Sequence, residues 1–274
     1  MEWKARYNIN LHMKNGGEKM YNSDIDVVTK MAEKKIRNAN DNAGKYLGRA
    51  VVTGFLMVIA IILSYTTGAM LYPKYPEVAK ILIAATFCFA IASIVFFSGE
   101  LFTGNNFVMT VGFLKGKTNM KAVLKVWLYS FIGNAVGIVI FAFLFAKSGA
   151  SFEVFQPYIA KVAHAKLEMP AYQMFLRGVL CNFIVCLAYL SGIKMKSESG
   201  KIIMMFFAVF AFIIAGFEHS VANVGVFSLA GFMSGGLSVA LVLKNLFFVI
   251  LGNIVGGGLF LGGSLVYISV EEQH

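Results

Sequence analysis

The chain has 274 residues, of which 58% are hydrophobic and only 14% are charged, and its formal net charge is +10. Ordinary soluble domains have about 45–50% apolar and about 25% charged residues, so this composition excludes a typical soluble protein and indicates a membrane protein. The lysines and arginines lie in the N-terminal arm and between apolar segments, a pattern typical of membrane topology, so we do not expect nucleic-acid binding.

The N-terminal part of the chain is polar. Residues 1–22 are expected to be either an extension added to the natural start or a disordered start. Residues 23–46 carry apolar side chains at roughly helical spacing among lysines, which predicts an amphipathic helix on the cytoplasmic surface; a solvated helix is the alternative. At the other end of the chain, residues 271–274 are expected to form a cytoplasmic tail.

Residues 47–270 are expected to form a transmembrane channel domain of six helical spans. Each span is near or above the length of about 20 residues that crosses about 30 Å of hydrocarbon. The second and fifth spans are too long for one straight helix and contain polar stretches with glycine, so we predict that both are broken. The predicted spans are 47–72, 79–114, 120–147, 171–193, 201–233 and 240–270.

The basic residues predict the orientation. Clusters precede span one and lie between spans two and three and between spans four and five, so all fall on one side of the membrane. The positive-inside rule then places both termini in the cytoplasm and the loops Pro73–Lys80 and Ser148–Pro170 on the exoplasmic side of the inner, cytoplasmic membrane. The clusters are Lys30, Lys34, Lys35, Arg37, Lys45 and Arg49; Lys115, Lys117, Lys121 and Lys125; Lys194, Lys196 and Lys201.

An internal repeat joins the two broken spans. GELFTGN at Gly99–Asn105 and FEHSVAN at Phe217–Asn223 each place a glutamate five residues before an asparagine. GNAVG at Gly133–Gly137 follows the first motif, and GNIVG at Gly252–Gly256 follows the second, at offsets of 118–119 residues. Repeats of three helices each, over about 47–147 and about 171–270, must have opposite topology, and their broken helices meet near the midplane.

Several polar residues lie at membrane depth, where a charge costs about 3 kcal/mol. Glu100 and Glu218 are interpreted as structural, because a carboxylate at a helix break can accept hydrogen bonds from unpaired N–H groups. His219 is expected to be functional, since imidazole can donate to an anion or relay a proton. Thr103 would contact a solute or cap a half-helix, and Asn182 must hydrogen-bond either a neighbour or the permeant.

Other residues have ordinary interpretations on their sequence alone. Lys166 would be a solvated loop lysine, and five apolar residues would be helix-packing residues: Phe87, Ile91, Phe102, Phe212 and Val185. The sequence shows no metal cluster, nucleotide-binding loop or nucleophile–base pair. We therefore expect no enzyme activity, no metal and no cofactor.

These residues and motifs resemble the formate/nitrite transporter family from about Ile25 to Val270. The motifs are GELFTGN in the second span, RGVLCNFIVCLA in the fourth, GFEHSVAN in the fifth and GNIVGGG in the sixth. The resemblance implies an all-α protein with an aquaporin-like six-helix protomer. It also implies a homopentamer with one pore in each protomer and membrane lipid in its centre.

The resemblance also implies roles for individual residues. His219 is similar to the family's central pore histidine, with Thr103 and Asn182 as polar neighbours and Lys166 as a vestibule lysine. The loop with Thr103 is similar to the gating element. Two constrictions are implied, with Phe87, Ile91 and Phe212 on the cytoplasmic side and Phe102 and Val185 on the exoplasmic side. The breaks would be supported by Glu100, Asn105, Glu218 and Asn223.

The expected permeant is a small monovalent anion of a weak acid. General likeness favours the hydrosulfide-channel branch and hydrosulfide export, with formate and nitrite as other permeants. A proton-coupled formate or nitrite transporter is the alternative. A neutral-solute channel of the aquaglyceroporin type is disfavoured, because Asn-Pro-Ala occurs nowhere in the chain.

Overall fold

The computed structural model describes residues 23–269, and all of the regular structure in that range is helical. The predictions for residues 1–22 and 271–274 lie outside the described residues. The helices are α1 (residues 23–41), α2 (Ala43–Leu71), α3 (Pro76–Phe87), α4 (Phe89–Phe96), α5 (Phe102–Leu114), α6 (Met120–Ser148), α7 (Phe152–Leu167), α8 (Ala171–Lys194), α9 (Glu198–Ile214), α10 (Ser220–Ser234), α11 (Val239–Asn253) and α12 (Ser264–Ile268), with a π-helical segment, Ile254–Gly263, between the last two.

The six predicted spans are present. Within residues 23–269, five helical stretches are long and apolar enough to cross a membrane: α2, α3 with α4, α6, α8, and α11 through α12. The fifth predicted span is divided between α9 and α10, which are 17 and 15 residues long. The breaks fall at residues 97–101 and 215–219, inside the second and fifth spans as predicted.

Helices α1 and α7 mark opposite ends of the molecule. At the α1 end, the Lys194 ammonium lies 2.8 Å from the Asp24 carboxylate, which brings the end of α8 beside α1. At the α7 end, the Gln156 side-chain amide donates to the Ser234 hydroxyl at 2.9 Å, which brings the end of α10 beside α7. Helix α2 begins at the α1 end and α8 at the α7 end, so the two repeats have opposite directions.

Two sequence-based expectations for the ends of the molecule are wrong. The amphipathic helix stops at residue 41, because Asn42 caps α2 by accepting the backbone N–H of Lys45 at 2.9 Å. The first span therefore begins four residues earlier than predicted. The expected loop over Ser148–Pro170 contains α7, and Lys166 lies in the last turn of that helix.

Close glycine contacts pack the long helices of each repeat against one another. A Cβ atom on Gly54 of α2 would lie 3.0 Å from the Cα of Gly137 on α6. In the second repeat, a Cβ atom on Gly178 of α8 would lie 3.2 Å from the Cα of Gly252 on α11. Small residues allow such backbone approach in a membrane, where apolar surface alone gives no association force.

Two equivalent asparagines tie the helix breaks to these packed pairs. The Asn134 side-chain amide donates to the backbone carbonyls of Ala50 and Glu100, both at 2.9 Å, and its oxygen accepts the Phe102 N–H at 3.0 Å. The Glu100 and Phe102 groups lie at the first break, and the Ala50 carbonyl lies where α2 and α6 approach each other closely. The side chain therefore satisfies polar groups that the first break leaves unpaired.

The second repeat uses the same device. The Asn253 amide donates to the carbonyls of Gly178 at 2.9 Å and Glu218 at 3.0 Å, and its oxygen accepts the Ser220 N–H at 2.9 Å. The GN motifs that identified the repeat in the sequence thus supply one structural asparagine to each break.

Candidate functional site

The second break is held by a buried ion pair. Glu218 precedes α10, and its carboxylate accepts from the Lys166 ammonium at 2.7 Å and from the Asn223 side-chain amide at 2.6 Å. Asn223 also donates to Asn245 at 2.8 Å, and Asn245 donates to the Lys166 carbonyl at 3.0 Å. A buried carboxylate requires such compensation, and here it comes from α7, α10 and α11 together.

The first break has an equivalent cluster. One oxygen of Glu100 accepts from the Lys35 ammonium at 2.6 Å, the Tyr46 hydroxyl at 3.0 Å and the Asn105 amide at 3.2 Å. Burial lowers the pKa of Lys35, but Tyr189 and Glu100 raise it more, so the net pKa lies above its usual value of 10.5. Lys35 therefore stays protonated at neutral pH and connects α1 to the break.

Sequence reasoning counted Lys35 only as a topology signal and missed its position. The signal for a buried role was present, because Val28, Ala32, Lys35 and Ala39 share one face of α1. The other three residues of this face are at most 1% exposed. A lysine on a buried apolar face requires an anionic partner, and Glu100 supplies it.

The two breaks meet at a hydrogen bond between His219 and Thr103. His219 caps α10, because its Nδ1 atom accepts the backbone N–H of Ala222 at 3.1 Å. Nδ1 therefore carries the lone pair, and in the neutral ring Nε2 carries the proton. Nε2 lies 3.0 Å from the Thr103 Oγ1 atom and so donates to it. The Phe212 ring stacks on the imidazole at a centroid distance of 6.3 Å.

A narrow central chamber lies beside this pair. Its volume is about 10 Å³, which is room for one water molecule at most. His219 supplies the one nitrogen- or oxygen-bearing side chain among the lining residues, and the rest of the wall is apolar. The chamber is lined by Met57, Phe87, Ala90, Ile91, Ile94, Leu101, Val185, Val209, Phe212 and His219.

The repeat organises the chamber wall. Ile91 and Val209 are 118 residues apart in the sequence, as are Leu101 and His219, and both pairs line the chamber. At one equivalent position the first repeat therefore supplies the apolar Leu101 and the second repeat supplies the polar His219. Sequence reasoning missed Leu101 and Val209, which resemble any other apolar residue of a span; only the repeat offset from His219 identifies Leu101.

Two larger cavities flank the chamber. The Lys35 cavity, at the α1 end, has a volume of about 280 Å³, and the Lys166 cavity, at the α7 end, has a volume of about 490 Å³. Each has three cationic side chains and one anionic side chain among its lining residues. These are Lys34, Lys35, Arg49 and Glu100 in the first, and Lys80, Lys166, Arg177 and Glu218 in the second.

Apolar residues separate these cavities from the chamber. Ile94 lines both the Lys35 cavity and the chamber. Three residues line both the Lys166 cavity and the chamber: Phe87, Phe212 and His219. The two phenyl rings lie edge to face at 6.2 Å between centroids. Apolar side chains therefore narrow the path on each side of the chamber, and the His219 ring faces both the chamber and the Lys166 cavity.

The expected side of Phe87 and Phe212 is wrong. They were expected on the face opposite Lys166, but both line its cavity. Helix α3 begins at the α7 end, and Phe87 is its last residue. Phe212 lies near the end of α9, next to the break that contains His219.

Two other predicted pore residues lie behind the chamber wall. Phe102 packs edge to face on Phe131 at 5.2 Å, and its neighbour Leu101 lines the chamber instead. Asn182 is fully buried, and its amide nitrogen donates toward the carbonyls of Thr103 at 3.2 Å and Asn253 at 2.7 Å. The Asn182 side chain thus holds the backbone at Thr103.

Within residues 23–269, no group of three or more His, Cys, Asp or Glu side chains is placed to hold a metal ion. The arrangement combines two basic cavities, two apolar constrictions and one hydrogen-bonding pair between them. Chemically, it can attract a small anion at either end and offer it a polar contact at the centre.

Comparison with known proteins identifies related sequences and structures. The sequence model of the family described as "Formate/nitrite transporter" matches residues 24–267. The nitrite transporter NirC of Salmonella typhimurium is 33% identical over 255 residues, which cover 91% of this chain and 93% of NirC.

Two solved structures are also similar. One is described as an FNT family ion channel: it is 30% identical, has a TM-score of 0.84 and is matched over 90% of this chain and 99% of its own. The other, a pentameric formate channel with formate bound, is 26% identical with a TM-score of 0.73, over 84% of this chain and 99% of its own.

Proposed function

Because the chain belongs to the formate/nitrite transporter family, we propose that it conducts small monovalent anions of weak acids between the Lys35 and Lys166 cavities. The observation that carries the proposal is the His219–Thr103 pair at an apolar chamber between two basic cavities.

An anion that enters the chamber loses its hydration shell, which is costly without compensating hydrogen bonds. The basic cavities raise the local anion concentration at both mouths. At the chamber, His219 Nε2 donates to the Thr103 oxygen, so the Thr103 hydroxyl proton is free to donate to an anion. Movement of Ile94 on one side and of Phe87 and Phe212 on the other would open the path.

The hydrogen bond by which His219 caps α10 limits its ability to take up a proton. An imidazolium ring would carry a proton on Nδ1, where the Ala222 N–H now donates, so protonation would break the cap of α10. The geometry therefore favours a neutral His219 whose single N–H donates to the Thr103 oxygen and so directs the Thr103 hydroxyl proton toward the permeant. A route in which the anion takes a proton and crosses as the neutral acid is the alternative, and it corresponds to a proton-coupled formate or nitrite transporter.

Hydrosulfide export is our first choice of transport activity, on general sequence likeness, with formate and nitrite as further permeants. The similar proteins are described as nitrite transporters and a formate channel, which supports the class of anion. A neutral-solute channel of the aquaglyceroporin type is disfavoured by the three cationic residues at each mouth.

We also propose the assembly and orientation. A similar solved structure is pentameric, which supports a homopentamer here. Large apolar side chains on α6 and α11, such as Leu144 and Phe247, are 57% and 58% exposed and would face lipid or a neighbouring protomer. The basic clusters support an α1 end in the cytoplasm, with the protein in the inner membrane.

The test of this proposal is anion flux through His219→Ala in proteoliposomes. Loss of the donor and of the cap should lower hydrosulfide, formate and nitrite flux at least tenfold while the protein remains assembled. His164→Ala, which removes an exposed histidine on α7, is the matched control and should retain full flux. Unchanged flux and unchanged pH dependence in His219→Ala would contradict any role for this histidine.

A further inference from the structure

The π-helical segment Ile254–Gly263 breaks the symmetry of the two repeats. It follows Asn253 directly, whereas the equivalent residues after Asn134 continue as regular helix to the end of α6. A π-helix widens the backbone locally and is found mostly as short insertions at functional sites. The second repeat therefore contains a π-helical segment where the first repeat has a regular α-helix.

This segment makes room for Asn182. A Cβ atom on Gly257 would lie 2.7 Å from the Cys186 sulfur and 3.0 Å from the Asn182 Cγ atom, and closer still to the Asn182 amide nitrogen. Both side chains are 0% exposed, so neither can move aside into solvent. Any side chain at position 257 must therefore displace both Asn182 and Cys186.

The first repeat has the reverse arrangement. The Ala50 carbonyl accepts from Asn134 in the first repeat, and the Gly178 carbonyl accepts from Asn253 in the second, so Ala50 and Gly178 are equivalent positions. The residues four positions later are then equivalent too: Gly54 on α2 and Asn182 on α8. Gly257 in turn corresponds to Ile138 on α6. Repeat one thus pairs a glycine on its first long helix with a large residue on its third. Repeat two exchanges them and so places a polar side chain at membrane depth.

The polar side chain gained by this exchange controls Thr103. The Asn182 amide donates toward the Thr103 carbonyl at 3.2 Å, the Asn106 side-chain oxygen at 3.2 Å and the Asn253 carbonyl at 2.7 Å. Its own oxygen accepts from the Cys186 thiol at 3.5 Å. Asn182 therefore ties the first turn of α5 to the start of the π-helical segment, across the repeat boundary.

We propose that Gly257 and Asn182 form a positioning pair, in which the π-helical segment leaves space for the Asn182 amide to fix the Thr103 backbone and so aligns the Thr103 hydroxyl with His219. The role in permeation rests on the proposed function. Neither residue of the pair lines the chamber, and Thr103 does not line it either, so the pair acts on the permeant through Thr103 and its hydrogen bond to His219, which does line the chamber.

The test is a double-mutant cycle in proteoliposomes with wild type, Gly257→Ala, Asn182→Ala and the double variant. Gly257→Ala should lower formate and hydrosulfide flux about tenfold, the effect of one displaced hydrogen bond. The double variant should be no slower than Asn182→Ala, because the shortened side chain at position 182 leaves space into which the Cys186 sulfur can move away from the new methyl group. Gly263→Ala is the matched control within the same segment: its Cβ would contact nothing within 4 Å, so flux should be unchanged.

The ratio of hydrosulfide flux to formate flux distinguishes a misplaced Thr103 from a general loss of structure. Gly257→Ala should change the hydrosulfide-to-formate flux ratio in the same direction as Thr103→Val, whereas a purely structural defect would lower both fluxes equally. Additive losses in the cycle, or a Gly257→Ala flux equal to that of Gly263→Ala, would overturn the proposal.

A second readout does not depend on transport. The melting temperatures of the same four proteins are compared. The decrease in melting temperature that Gly257→Ala causes should be at least halved in the Asn182→Ala background. If wild type carries no anion, the proposed function fails, while this cycle still decides whether the two positions are coupled. Equal shifts in both backgrounds would refute the pair.

Discussion

The buried Lys35–Glu100 ion pair gives the sharpest prediction about stability. Lys35→Met keeps the length of the side chain but removes its charge, which leaves the Glu100 carboxylate only 4% exposed with two neutral donors, Tyr46 and Asn105. Removal of one partner of a buried pair costs about 3–5 kcal/mol, because the remaining charge is uncompensated. Lys35→Met with Glu100→Gln removes both charges and should recover all but about 1–2 kcal/mol.

The assay is chemical unfolding of the purified protein in mixed micelles, followed by the fluorescence of Trp127. The indole N–H of Trp127 donates to the Asn105 carbonyl at 3.1 Å, so the probe lies next to the Glu100 cluster. Replacing Trp3, the other tryptophan, by phenylalanine isolates this signal.

Lys34→Met is the matched control, because Lys34 is an exposed neighbour that lines the same cavity. Its unfolding free energy should stay within about 0.5 kcal/mol of wild type. The pKa of Lys35 is raised above 10.5, so the contribution that depends on the Lys35 charge is present at neutral pH and is lost as the pH rises beyond 10.5. An equal loss in the single and double variants would refute the reasoning, since it would mean that no charge is left uncompensated.

Two further predictions concern the breaks and the constriction. Asn134→Leu leaves the Ala50 and Glu100 carbonyls without their side-chain donor, so it should lower the unfolding free energy by about 2–5 kcal/mol, measured in the same micelles; a loss below 1 kcal/mol would contradict the role of this asparagine. Ile94→Ala should raise anion flux several-fold and Ile94→Phe should lower it, because Ile94 separates the Lys35 cavity from the chamber; equal fluxes in proteoliposomes would place the limiting constriction elsewhere.

Much of the fold could be predicted from local sequence. Span lengths follow from apolar runs, and the two breaks follow from polar residues within them. The repeat follows from the spacing of Glu100, Glu218 and the GN motifs. These features depend on residues close together in the chain, and the bilayer imposes one length on every span.

The remaining features depend on contacts between distant elements. Whether Phe102 or Leu101 faces the chamber depends on the rotation of the backbone at the break, which no residue pattern specifies. The side on which Phe87 lies depends on where α3 starts, and the span prediction began three residues after the observed Pro76. Lys35 could be recognised as buried only by combining two observations: it lies on the apolar face of α1, and Glu100, 65 residues away, needs a cationic partner at membrane depth.

The π-helical segment could not be predicted from its glycines alone. GNIVGGG and GNAVG both have the structural asparagine as their second residue, and a glycine-rich continuation is compatible with a regular helix. In the proposed pairing, the widening makes room for the Asn182 side chain, which approaches from α8. Its cause is therefore a tertiary contact between the fourth and sixth spans.

The central claim is that the chain conducts anions of weak acids, and flux of hydrosulfide, formate and nitrite into proteoliposomes of the wild-type protein tests it most directly. The three anions are compared side by side with and without an imposed pH gradient. We predict fast hydrosulfide flux and slower formate and nitrite flux, all of which His219→Ala abolishes. Flux no faster than that of protein-free liposomes for all three anions would contradict the claim, whereas a formate or nitrite preference would retain the channel and overturn the choice of hydrosulfide.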